Sequence, residues 1–147
     1  MKYHTIKPVL SEETQHAMTT SWLEQGVSLQ EALGISSDKM LEYYEYAQKL
    51  YEDKQLQDAA DIFFLLSIVN PYVYEIWLAR ALSENSLGNH DECMHSAHMA
   101  LSLDPSRQDA YLFLIEYFKS RNEHDAASEL TRLMEQLATI GEKNDRR

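Results

Sequence analysis

Residues 70–105 read NPYVYEIWLARALSENSLGNHDECMHSAHMALSLDP, and this stretch decides the fold. It opens on Asn70-Pro71 and closes on Asp104-Pro105, so the two prolines stand 34 residues apart. Proline cannot continue a helix and restricts the residue before it, so each pair marks a boundary between helical segments. Between the prolines, Trp77, Ala81, Cys93, Ala97 and Ala100 fall at helical spacings on either side of Gly88. Glycine suits a tight turn there, so the stretch reads as two helices joined by a short connector. The 34-residue period directs a search for further copies of the same unit.

Windows of that length start at Met40, Tyr74 and Gln108. The first places Tyr43, Tyr46, Ala47 and Leu50 in one helix, Ala59, Phe63 and Leu66 in the next, and Pro71 at the end. The third places Tyr111, Leu114, Phe118, Ala127 and Met134 at the corresponding positions. This alternation of large and small residues is the tetratricopeptide (TPR) pattern. The chain departs from it at Leu66, which is bulkier than usual, and at Arg80, Glu84, Ala97, Ile115, Thr131 and Thr139. Ala47, Ala59, Ala81 and Cys93 are expected where paired helices approach closely, and Tyr43, Phe63 and Trp77 where space between helices must be filled. One pair cannot bury its apolar face alone, so neighbours must stack. The expected fold is all-α: three tandem TPR repeats as a short right-handed superhelix with an N-terminal helical extension.

The extension covers residues 1–36, the repeats cover 37–71, 72–105 and 106–140, and a polar tail follows at 141–147. Ser11-Glu12-Glu13 reads as an N-cap with acidic residues in the first turn of a helix that runs to about Gln25 and stops at Gly26. Val27 to Leu33 reads as a short helix ending at Gly34, and Ser36-Ser37-Asp38 caps the first repeat helix. The tail from Gly141 is expected to fray.

Composition narrows the function. The formal net charge is −11, which repels phosphate and anionic lipid, so nucleic acid and membrane surfaces are discounted as partners. The one cysteine, Cys93, cannot form an internal disulfide. Met1 to Leu10 lacks an apolar run of signal-peptide length, and no stretch of about 18 apolar residues exists to span a membrane. The cytosol is the expected compartment.

The whole unit is more specific than its repeats. An N-terminal helix, a glycine break and Ile35-Ser36-Ser37-Asp38 leading into three TPRs resemble the class II chaperones of type III secretion systems. The resemblance runs from about Ser21 to Leu137 and includes Tyr44, Ala47, Tyr51, Asp58-Ala59, Tyr72, Leu78, Gly88 and Glu116. It implies a bacterial cytoplasmic protein that holds hydrophobic, pore-forming translocator proteins soluble and secretion-competent, a virulence function without catalysis or cofactor. It also implies a homodimer formed through the N-terminal region, which places Ala17, Met18, Trp22 and Leu23 at a docking surface.

In such a solenoid the first helix of each pair lines the concave surface. Leu41, Tyr44, Gln48 and Tyr51 recur at three- and four-residue steps and share a face. The corresponding positions are Leu78, Leu82 and Asn85, then Leu112, Glu116 and Lys119. These residues form the candidate groove for an extended client segment, with apolar pockets for its side chains and polar groups for its backbone. The resemblance implies that the client enters through its N-terminal part.

Other constellations are weaker. Asp91, His95 and His98 share a helix face, with His90 nearby, but no second shell is visible and a solvated face is the expected reading rather than metal. Cys93 occupies a small core slot near Asp91 and Glu92, which suits neither a nucleophile nor a ligand. A clamp for the C-terminal carboxylate of an Hsp70- or Hsp90-type chaperone needs Lys, Arg and Asn, whereas the first repeat offers Leu41, Glu45 and Glu52. The alternative to the chaperone is a TPR scaffold that binds soluble partners within a larger assembly.

Overall fold

Ser28 and Ser36 begin the first two helices of the computed structural model, which describes residues 28–145. Ser28 caps α1 (Leu29–Leu33) through a capping box: its hydroxyl accepts from the Glu31 amide at 3.2 Å, and the Glu31 carboxylate accepts from the Ser28 amide at 3.0 Å. Gly34 closes α1 in the left-handed region at φ 66°. The Ser36 hydroxyl accepts from the Lys39 amide at 3.1 Å and starts α2 (Ser37–Glu52). Then follow α3 (Leu56–Val69), α4 (Tyr74–Ser86), α5 (His90–Leu103), α6 (Asp109–Ser120) and α7 (His124–Asp145), with no strand among the described residues. The helix expected from Ser11 to Gln25, with Ala17, Met18, Trp22 and Leu23, lies outside the described residues.

The period is written into the backbone. Lys54, Gly88 and Asn122, spaced 34 apart, all take left-handed φ values, 64°, 78° and 61°. At each turn the same long bond closes the helix end: Gln55 N to Leu50 O, Asn89 N to Glu84 O, and Glu123 N to Phe118 O, each 2.9 Å. Together with bonds from the Lys54, Gly88 and Asn122 amides to carbonyls three residues back, this is the Schellman pattern, which satisfies carbonyls that a helix end leaves free. The prolines repeat a second device. Trp77 Nε1 donates to Pro71 O at 2.7 Å, and the Tyr111 hydroxyl donates to Pro105 O at 2.9 Å.

Three helix pairs therefore stack in chain order: α2 with α3, α4 with α5, and α6 with α7. Ala47, Ala59, Ala81 and Cys93 are fully buried at the close approaches, with Ala97, Ala100 and Ala110 beside them. Phe63 fills the first pair together with Met40, Leu50 and Leu66, and it reaches Ile76 and Ala79 of α4. Trp77 and Tyr74 pack against Ala100 and Ala110, which joins the second pair to the third.

Two expectations need correction. Tyr43 does not fill space between helices: it is 48% exposed, with the Lys39 ammonium 5.4 Å from its ring, and Tyr46 is 43% exposed. Their counterparts one period on, Trp77 and Arg80, are 6% and 7% exposed: Trp77 packs with Ala100 and Ala110 and edge-on against His95, and Arg80 lies over the Phe64 ring of α3. No helix pair among the described residues precedes α2 to cover Tyr46 as α3 covers Arg80. Second, the helix does not stop near Ile140 but runs through Gly141 to Asp145. A helical glycine costs only about 1 kcal/mol relative to alanine, too little to end a long amphipathic helix. The polar departures at Arg80 and Glu84 are both buried. Arg80 donates to Glu92 at 2.9 Å and lies over the Phe64 ring at 4.8 Å, while Glu84 accepts from Asn89 at 2.8 Å.

Candidate functional site

The first helices of the first two pairs face each other across a groove that holds two adjoining cavities. The larger, about 350 Å³, is lined by Met40, Leu41, Tyr44, Val73 and Ile76, with Gln30 of α1 at its mouth. The other, about 280 Å³, is lined by Tyr44, Gln48, Tyr51, Leu78, Leu82 and the polar group described below. Tyr44 and Glu75 line both, so the cavities are two parts of one groove. Each is at the small end of the range for ligand pockets, the size for side chains presented one at a time.

Tyr44 is positioned by an edge-on contact with Phe63 at 5.5 Å between ring centres. Burial, and secondarily the nearby Glu75 carboxylate, raises its pKa, so the phenol stays neutral and able to donate. Tyr51 sits two turns further along α2, and its hydroxyl lies 2.8 Å from Ser86 Oγ, tying α2 to the end of α4. Leu82, also on α4, is 41% exposed on the groove wall, and Leu41 is 53% exposed.

Structure brings together six of the ten groove residues expected from sequence: Leu41, Tyr44, Gln48, Tyr51, Leu78 and Leu82. Asn85, Leu112, Glu116 and Lys119 are exposed on their helices and line neither cavity. Glu116 pairs instead with Lys119 at 3.2 Å. Sequence reasoning missed Glu75, Arg107 and Asp109 on the wall of the smaller cavity, and it weighed Glu52, on the same wall, only as an obstacle to a carboxylate clamp. The signal for two of them was available, because the Leu41 position advanced by one period is Glu75 and by two is Asp109. Arg107 lies in the connector before α6 and follows no helical register.

Arg107 organises the polar end. Its guanidinium pairs with Glu75, pairs with Asp109 at 2.8 Å, and stacks on the Tyr74 ring at 4.1 Å. The Arg107 hydrogen bond draws the Glu75 pKa below the usual carboxylate range, so Glu75 is ionised. Tyr74 in turn accepts from the Ala110 amide at 2.9 Å, which binds the start of α6 to α4.

Away from the groove, Cys93 is buried and its thiol is pushed up to about 11, mainly by burial and then by Glu84, so it stays protonated. Among the described residues no three His, Cys, Asp or Glu side chains are placed to hold a metal. His95 packs edge-on against Trp77, and His90 lies 3.2 Å from the Tyr117 hydroxyl. No helix among the described residues is long and apolar enough to cross a membrane.

No known protein family matches the chain, and no curated protein does. Solved structures do. The Yersinia enterocolitica type III secretion translocator chaperone SycD superimposes with a TM-score of 0.71 at 21% identity, over 75% of this chain and 82% of SycD. A type III secretion complex from Aeromonas hydrophila gives 0.73 at 18% identity, over 84% and 83%. PcrH, solved with the chaperone binding region of PopB, gives 0.65 at 20% identity, over 73% and 86%. What the chain shares with these proteins at such identities is the fold, an all-helical stack of three tetratricopeptide pairs.

Proposed function

We propose that this protein is a type III secretion chaperone of the translocator class, which binds an extended segment of a hydrophobic translocator in the groove between α2 and α4. The observation that carries this reading is the groove itself. It offers two contiguous apolar cavities walled by tyrosines and leucines, on a fold shared with the chaperone SycD, which has been solved in complex with a peptide of the translocator YopD. Tyr44 and Tyr51 each present apolar area beside a hydroxyl, which suits a chain whose side chains need pockets and whose backbone needs partners. The acidic balance of −11 helps a complex with a sticky client stay in solution in the bacterial cytoplasm. Residues 1–36 extend the repeats, and Ala17, Met18, Trp22 and Leu23 supply a homodimer contact.

Co-purification of a tagged chain from its native bacterium, followed by mass spectrometry, tests the reading. The expected catch is a large protein with long apolar helices, lost when Tyr44→Ala and Tyr51→Ala are combined in a chain that keeps its helical circular dichroism. Recovery of soluble machine components alone, indifferent to those substitutions, would replace the chaperone with a scaffold.

A further inference from the structure

The groove is apolar along its length yet carries an uneven set of charges at one place. Glu52, Glu75 and Asp109 line the smaller cavity, against a single cation, Arg107. Arg107 is already engaged by Glu75 and Asp109 and covered on one face by Tyr74, so it is not free to receive an anion. The carboxylates are less occupied. Glu75 uses Oε1 and Asp109 uses Oδ2 for the guanidinium, and each side chain is about half exposed, at 52% and 54%. An ionised carboxylate has about four acceptor sites, so one bond leaves most of its capacity open. No ion pair among the described residues engages Glu52.

Position matters as much as count. Glu75 lines both cavities, so it stands where they meet. A segment laid along the groove with one apolar side chain in each cavity passes Glu75 between its two anchors. Low-dielectric walls concentrate the field of charges in such a cleft. Resting on the reading of this groove as a peptide site, we infer that it selects an extended client segment carrying a lysine or arginine between two apolar anchors. The cation meets Glu75 at the junction, with Glu52 and Asp109 further along the same wall. A segment with an acidic residue there is repelled, and a wholly apolar segment leaves the carboxylates desolvated without a partner. Specificity thus comes from charge at one point of an otherwise apolar track.

Selection of a random twelve-residue peptide library on the full chain tests this, run in parallel on two double variants. Glu52→Gln with Glu75→Gln removes charge at near-constant shape; Leu41→Ser with Leu82→Ser removes an exposed apolar wall from each cavity. Circular dichroism checks that both variants fold. The expected result on the natural chain is enrichment of two apolar positions flanking Lys or Arg, with Asp and Glu depleted. A selected peptide should weaken about tenfold when that Lys is changed to Glu. The glutamine variant should keep the apolar pattern and lose the basic preference. Apolar enrichment without any charge preference would overturn the inference and leave the groove reading standing. Peptides recovered equally on the serine variant, or no enrichment at all on the natural chain, would overturn the groove reading and the inference with it.

Discussion

Exchanging the residues at two of the three equivalent turns tests the repeat reading quantitatively. Gly88 takes φ 78°, and a Cβ built there meets nothing within 4 Å, so Gly88→Ala introduces no clash. Its cost is conformational. The left-handed region penalises an L-residue by about 1–2 kcal/mol. Alanine recovers about 0.4–1 kcal/mol of this by having fewer unfolded conformations to lose. The net destabilisation is about 1 kcal/mol, or about 2–4 °C in melting temperature for a chain of this size. Lys54 holds the same conformation at φ 64° and already bears the penalty, so Lys54→Gly should stabilise by a similar amount. The turns share no partner, so the double variant should return close to the parent stability. Urea unfolding followed by far-ultraviolet circular dichroism reads all three values. Destabilisation by Lys54→Gly would refute the reasoning, because it would show that the turn depends on the lysine side chain rather than on backbone geometry.

Arg80→Met should leave stability within about 1 kcal/mol of the parent or raise it, since the buried guanidinium has an Nε without a partner among the described residues and pairs with a half-exposed Glu92. Glu92→Gln should cost about 1–3 kcal/mol by leaving that charge poorly met, and urea melts of both variants check the contrast. Cys93 should resist iodoacetamide in the folded chain near neutral pH and react once urea is added. Below the ordinary thiol value of 9.0 this group leaves stability unchanged; as pH rises from there through about 11 the unfolded thiol ionises first and stability falls, a loss that Cys93→Ala removes. Trp22→Glu should move the mass seen in light scattering from dimer toward monomer, and an unchanged mass would take that residue out of the self-association surface.

The fold was legible because its signals are local and repeated. Pro71 and Pro105 mark the period, small residues such as Ala47 and Ala81 mark close approach, and both kinds of signal survive in a single sequence. Tyr43 and Tyr46 misled for a related reason. Periodicity reports which face a residue occupies, but whether that face is covered depends on neighbouring helices, and here α5 and α6 cover Trp77 and α3 covers Arg80 while the tyrosines stay 48% and 43% exposed. The apolar half of the groove was legible from the steps between Leu41, Tyr44, Gln48 and Tyr51. In its charged half Glu75 and Asp109 could have been found from the period of Leu41, but Arg107 could not, because it enters from a connector and meets Glu75 across 32 residues of chain. Expecting the third repeat to continue the groove was reasonable by period, but the two cavities end at Arg107 and Asp109, before Leu112 and Glu116.

Arg107 reaches back from the connector before α6 to Glu75 on α4, and Tyr74 holds the Ala110 amide beside it. The joint between the second and third pairs therefore doubles as one wall of the groove. Stacked repeats couple only to their neighbours, so the last pair can open on its own. An occupant that touches Asp109 as well as α4 binds only while that joint is closed, and mass action then favours the closed form. Amides of α7, and of α6 beyond its first turn, should exchange with solvent more slowly in the occupied protein, at positions the occupant never reaches. Release of the client and fraying of the C-terminal hairpin become two readings of a single equilibrium.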